Sequence, residues 1–133
     1  MILKKDMPKD RRSLNWLEQA KNDFLFAKTA RAEKFFAQTC FICQQVAGKA
    51  LKSVLYARGA KAVITHSLMD LCEELKINSK LRKAAGVLDQ YYLSARYPDA
   101  LPGGAPYQVF TEEQAKEAIQ FADLFLEVAD REG

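Results

Sequence analysis

Hydrophobic positions recur every three or four residues along most of the chain, and nowhere alternate for long enough to build a sheet. From 13 to 31, Leu14, Leu17, Phe24 and Ala27 form one stripe with Glu18, Lys21, Asn22 and Lys28 off it, which predicts a first amphipathic helix. The second, over 34–58, is the most regular. Phe36, Cys40, Cys43, Ala47, Ala50 and Val54 advance by alternating steps of four and three, the spacing of a packed seam. Leu51 and Leu55 widen the seam, Gly59 offers a stop, and Gln45, Lys49 and Lys52 line up on the opposite side. A short helix over 66–75 follows, with Thr65 as its N-cap and Leu68, Leu71, Cys72 and Leu75 turned inward.

A fourth helix starts after Asn78 or Ser79 and runs to about residue 95 through Leu81, Ala84, Ala85, Leu88, Tyr91 and Tyr92. The segment 96–110 holds Pro98, Pro102, Pro106 and the Gly103-Gly104 pair, so no continuous helix crosses it. Irregular stretches of that length in compact domains tend to be functional or disordered. Thr111-Glu112-Glu113-Gln114 has the form of a capping box and opens a last helix, with Ala115, Ala118, Ile119, Ala122, Phe125, Leu126 and Ala129 inward. The pattern predicts an all-α fold: an up-and-down four-helix bundle with one additional short helix, five helices in all.

At 133 residues there is room for one domain, expected over 13–133 after a flexible basic lead-in over 1–12. A composition 49% hydrophobic and 28% charged fits a soluble globule and excludes a disordered or fibrous chain. A net charge of +3 is too small by itself to announce a nucleic-acid or membrane binder. The start, Met1-Ile2-Leu3-Lys4-Lys5, lacks the apolar core of a signal peptide, and no window is long and apolar enough to span a bilayer. Three cysteines, an odd count without secretory context, argue against a disulfide framework. The expectation is a reduced, cytoplasmic protein away from membranes.

Much chemistry is excluded. No phosphate-binding glycine loop is present. The carboxylates of Asp70, Glu73, Glu74, Glu112 and Glu113 fall on faces expected to be solvated. Cys40-Phe41-Ile42-Cys43 has C-x-x-C spacing, but it lies mid-helix on the seam, where thiols act as small hydrophobes. We therefore expect no metal and no cofactor. His66, the sole imidazole, reads as a structural group at a helix start, with acid–base work as the alternative. The densest cluster is Tyr91-Tyr92-Leu93-Ser94-Ala95-Arg96-Tyr97-Pro98-Asp99. Arg96 either braces the helix exit by pairing with Asp99, or offers its guanidinium fork to phosphate or carboxylate while Tyr97 stacks on a ring.

These residues carry a resemblance to the HEPN (higher eukaryotes and prokaryotes nucleotide-binding) domain. Trp16-Leu17-Glu18-Gln19-Ala20-Lys21-Asn22-Asp23-Phe24 resembles that family's opening W-L-x-x-A-x-x-D-L. The stretch from Cys43-Gln44-Gln45 to Lys49-Ala50-Leu51-Lys52 resembles its Q-Q-A-x-E-K-A-L-K helix, with Gly48 in place of the glutamate. Thr65-His66-Ser67-Leu68 is similar to T-H-D-L, Arg96-Tyr97-Pro98-Asp99 to R-Y-P-D, and Phe110-Thr111-Glu112-Glu113-Gln114-Ala115 to F-T-x-E-x-A. The resemblance implies a helical bundle, usually a homodimer, often working beside a minimal nucleotidyltransferase in a toxin–antitoxin pair. Many members cleave RNA without metal through an R-x₄₋₆-H motif. Here no histidine follows Arg96, and His66 lies upstream.

The expectation is thus a nucleotide-, RNA- or partner-binding module using Arg96, Tyr97, Asp99, Tyr92, Lys49 and Lys52. The alternatives are a ribonuclease with Arg96 and His66 as its catalytic candidates, and a purely structural dimer.

Overall fold

The seam read from the sequence organises the molecule. In a computed structural model describing residues 9–132, Cys40, Cys43, Ala47, Ala50 and Val54 are buried along helix α2 (Phe36–Ala57). At about 1.5 Å per residue α2 is roughly 33 Å long. Its small seam residues let neighbouring helices approach closely. It touches every other helix: α1 (Lys9–Ala32), α3 (Leu68–Glu74), α4 (Ser79–Asp89), the single-turn α5 (Tyr91–Ser94) and α6 (Pro106–Val109), and α7 (Glu112–Glu132). The architecture is an all-α, up-and-down bundle of α1, α2, α4 and α7 with α3 on its side.

Local chemistry sets the ends of the long helices. Gly59, at φ 101°, closes α2 with Gly59 N–H donating to the Tyr56 carbonyl and Ala60 N–H to that of Leu55. At the start of α7 the expected capping box is present. Gln114 N–H donates to the Thr111 hydroxyl (3.2 Å), and Thr111 N–H donates to Gln114 Oε1 (2.9 Å). Phe125, Ala115, Ala118, Ala122, Leu126 and Ala129 are buried on α7, with Ile119 partly covered.

Other expectations are corrected. Of the lead-in over 1–12, residues 1–8 lie outside the described residues, whereas Lys9–Arg12 form the first turn of α1. Arg12 is held there: its guanidinium lies over the Tyr56 ring and donates to the Lys61 carbonyl (2.8 Å). Leu14 leaves the predicted stripe and is 54% exposed, because Leu17, Ala20, Ala27 and Ala30 form the buried line of α1. The fourth helix divides at Gln90, where the amide donates to Val87, three residues back, and tightens the chain into a 3₁₀-like step before α5. The Pro/Gly segment also contains a 3₁₀ turn at Pro98–Ala100 and one turn of α6, so it is less irregular than its composition suggests. Among the described residues no helix is long and apolar enough to cross a membrane.

All three cysteines are free and buried. Burial pushes the Cys40 thiol up to about 12, that of Cys72 up to about 11, and that of Cys43 upward as well. These groups hold their protons more tightly folded than unfolded, where a thiol titrates near 8.5. The stability they contribute is therefore complete below about pH 8.5 and is lost as pH rises through the folded values. We expect no reaction with a disulfide reagent at pH 8 in the native protein and full reaction in guanidinium. Denaturant midpoints should fall as pH rises from about 9 toward 12. The seam sets a second expectation. Ala47 has no accessible surface, so Ala47→Leu should overpack the helix contact and lower unfolding free energy by about 1–3 kcal/mol in a denaturant titration.

Candidate functional site

The polar side of α2 is where the fold gathers its chemistry. Gln45, Lys49 and Lys52 do not face open solvent as a stripe of this kind usually does. With Gln44 and Gly48 they line a pocket of about 150 Å³, closed by Trp16 of α1 and by Thr65, His66 and Leu71. Trp16 and Asp23 are seven residues apart on α1 and so share a face. Asp23 forms an ion pair with Lys49 that joins α1 to α2, the two side chains being only 19% and 28% exposed. Lys49 is therefore already partnered, a departure from the solvated position its spacing predicts. Lys52 lies over the Trp16 ring (5.4 Å), and Trp16 stacks on Tyr56. Partial burial, and secondarily the neighbouring Lys49 charge, shift the Lys52 ammonium pKa downward. A Cβ on Gly48 would meet only the Leu68 side chain, at an ordinary 3.6 Å. Glycine here leaves the helix backbone as one wall of the pocket.

The segment between Gly59 and Leu68 forms the rim. Val63 N–H donates to the Tyr56 hydroxyl (3.2 Å), and the Thr65 hydroxyl accepts from Ser67 N–H and donates to Asp70. Ser67, rather than the expected Thr65, caps α3, its hydroxyl accepting from Asp70 N–H (3.1 Å). His66 consequently precedes the helix instead of starting it. Its ring is exposed and stacks on Tyr92 (centroids 5.3 Å apart).

Tyr92 joins this pocket to the second cluster. The Arg96 guanidinium sits over three rings, 4.3 Å from the centre of Phe41, 4.8 Å from Tyr92 and 5.0 Å from Tyr97. Its Nε donates to the Tyr92 carbonyl (2.9 Å). Among the described residues no carboxylate lies within ion-pair distance of Arg96. Asp99, in the following 3₁₀ turn, is exposed and does not brace it. The guanidinium is thus fixed in direction by one hydrogen bond and three aromatic faces while its charge stays uncompensated. Such an arrangement can take a phosphate or carboxylate through its remaining N–H groups.

The sequence-expected residues therefore fall into two adjoining groups. Lys49 and Lys52 belong to the pocket, Arg96, Tyr97 and Tyr92 to the aromatic cluster, and His66 to both. Asp99 joins neither as a contact. Phe41 and Asp89 received no role from the sequence. Phe41 was hidden inside the Cys40–Cys43 seam, and the contacts of Asp89 come from α2 and α3. Cys40 and Cys43 are free thiols buried in the seam.

Comparison with known proteins bears on the fold and the family. The model of the HEPN domain matches residues 13–132. TT1696 from Thermus thermophilus is 36% identical, with a TM-score of 0.86 over 92% of this chain and 98% of that one. ST0689, an archaeal HEPN homologue, is 32% identical with a TM-score of 0.79 over 90% and 95%. A HEPN domain protein from Thermotoga maritima is 29% identical with a TM-score of 0.71 over 88% and 95%. No curated protein matches the chain. With a family model matching nearly the whole chain, this chain belongs to the HEPN family.

Proposed function

We propose that this protein is a binding module for a nucleotide or for RNA, with Arg96 as its anion-binding residue. It would act as the HEPN half of a homodimeric, toxin–antitoxin-like pair with a minimal nucleotidyltransferase. The observation that carries the reading is the exposed Arg96 guanidinium, held on Phe41, Tyr92 and Tyr97 with no carboxylate among the described residues to neutralise it. A phosphate would meet the guanidinium, and a base would find aromatic surface beside it on Tyr97, which is half exposed. Lys52, which rests on Trp16 rather than on a carboxylate, would supply a second positive charge, while Lys49 braces the wall through Asp23. The pairing with a nucleotidyltransferase rests on family membership alone.

A second reading has one observation in its favour. His66 and Arg96 both pack on the ring of Tyr92, which brings the two candidates for RNA cleavage to one place within a single chain. In that reading Arg96 would stabilise charge on the reacting phosphate and His66 would move the proton.

Calorimetric titration with ATP, GTP and a short single-stranded RNA tests the first reading. Arg96→Ala should weaken binding about ten- to a hundredfold, the loss of one charge-assisted contact worth roughly 1.5–3 kcal/mol. It should cost about 1 kcal/mol or less of stability, because an exposed cation on an aromatic face contributes little. Absence of heat with every ligand at millimolar concentration, together with no co-purifying partner, would sink the proposal. Incubation with labelled RNA tests the second. Cleavage that vanishes in both Arg96→Ala and His66→Ala supports it, and cleavage that survives His66→Ala removes it.

A further inference from the structure

The segment bearing His66 has no regular structure, yet its end is tied to the helices by a carboxylate that neither reading above uses. Asp89 is the last residue of α4, where the helix dipole disfavours a negative charge. Its hydrogen bonds all lead elsewhere. Leu68 N–H (2.9 Å) and Met69 N–H (3.1 Å), the first amides of α3, donate to it, as does the Ser67 hydroxyl (3.3 Å). The fourth donor is the Gln44 side-chain amide (3.2 Å), which also donates to the His66 carbonyl (2.9 Å). Gln44 is almost wholly buried and receives Gln45 on its own oxygen (2.7 Å), so its orientation is fixed from both ends. Asp89 thus fixes the backbone that leads directly out of His66: the His66 carbonyl through Gln44, and Ser67–Met69 directly.

We propose that Asp89 is the positioning residue for His66: through Gln44 and the first turn of α3 it holds the imidazole against Tyr92. His66 then forms one continuous wall between the α2 pocket and the Arg96 cluster. This goes beyond the proposed function, and rests on it only for the consequence to ligand binding. A carboxylate is required because four donors converge on two oxygens, whereas an amide at this position would offer a single acceptor oxygen and turn two N–H donors toward the rest.

His66 is the only histidine, so its imidazole carbon-bound protons give an unobstructed NMR signal in the free protein. With the ring stacked on Tyr92, those resonances should lie upfield of random-coil positions. Asp89→Ala and Gln44→Ala should each return them toward random coil, and Asp89→Asn should do so in part. Ala118→Gly, on the far helix α7, controls for general loss of stability: it should lower the melting temperature and leave the imidazole signal in place. If Asp89→Ala fails to fold, Gln44→Ala and Asp89→Asn carry the test. Unchanged imidazole shifts in the folded variants would overturn the proposal. That readout needs no ligand, so failure of wild-type protein to bind ATP or RNA refutes the proposed function without touching this inference. Where ATP does bind, Gln44→Ala should weaken it at least tenfold, and unaltered affinity would break the link between the His66 wall and binding.

Discussion

The fold and the site both depend on α2 carrying two incompatible faces. One must be small and apolar enough for α1, α4 and α7 to close on it, which Cys40, Cys43, Ala47 and Ala50 provide. The other must stay polar although it is partly covered, and buried polar groups cost free energy unless each finds a partner. The structure meets that demand group by group. Gln44 bonds Asp89 and the His66 carbonyl, Gln45 bonds Gln44, Lys49 pairs with Asp23, and Lys52 rests on Trp16. Among the described residues no buried side-chain polar atom is left without a partner. The pocket is thus the space left beside a satisfied polar seam, and its walls are rigid because their hydrogen bonds are already made.

How much of this was legible follows from the range of each interaction. The start of α7 is decided by Thr111 and Gln114, three residues apart, and the sequence alone places it. The seam of α2 is equally local, since a period of three and four states which side is buried. The cap of α3 is different. Thr65 and Ser67 both carry the right hydroxyl, and what favours Ser67 is Asp89, which takes the next two amides from a position 22 residues further along. The division at Gln90 and the exposure of Leu14 likewise depend on packing that periodicity does not describe.

The candidate site shows the same limit more sharply. The stripe of Gln45, Lys49 and Lys52 was visible, and so were Arg96, Tyr92 and Tyr97. What spacing could not supply was Asp23 as the partner of Lys49, 26 residues away, or Phe41 beneath Arg96. A partial signal was nonetheless present. Trp16 and Asp23 are seven residues apart and so share a face of α1, which places the carboxylate beside the ring but does not name its partner. The alternative of an Arg96–Asp99 brace, left open by sequence, loses its basis because Pro98 opens a 3₁₀ turn that leaves Asp99 exposed and outside ion-pair reach.

That Arg96 keeps an uncompensated charge is the step from which a functional reading follows, and its physical logic differs from that of Lys49 and Arg31. Lys49 and Arg31 meet carboxylates across helix contacts, so their charges join the bundle together. Arg96 is placed with comparable definition, but by π faces and a backbone carbonyl, which orient a guanidinium without cancelling its charge. A purely structural role would need only the aliphatic stem over the rings. Fixing the head group while leaving it charged adds only the modest cation–π attraction, about 0.5–1 kcal/mol at an exposed site. It does lower the entropic cost of meeting an anion, since the fork is already aimed before the ligand arrives.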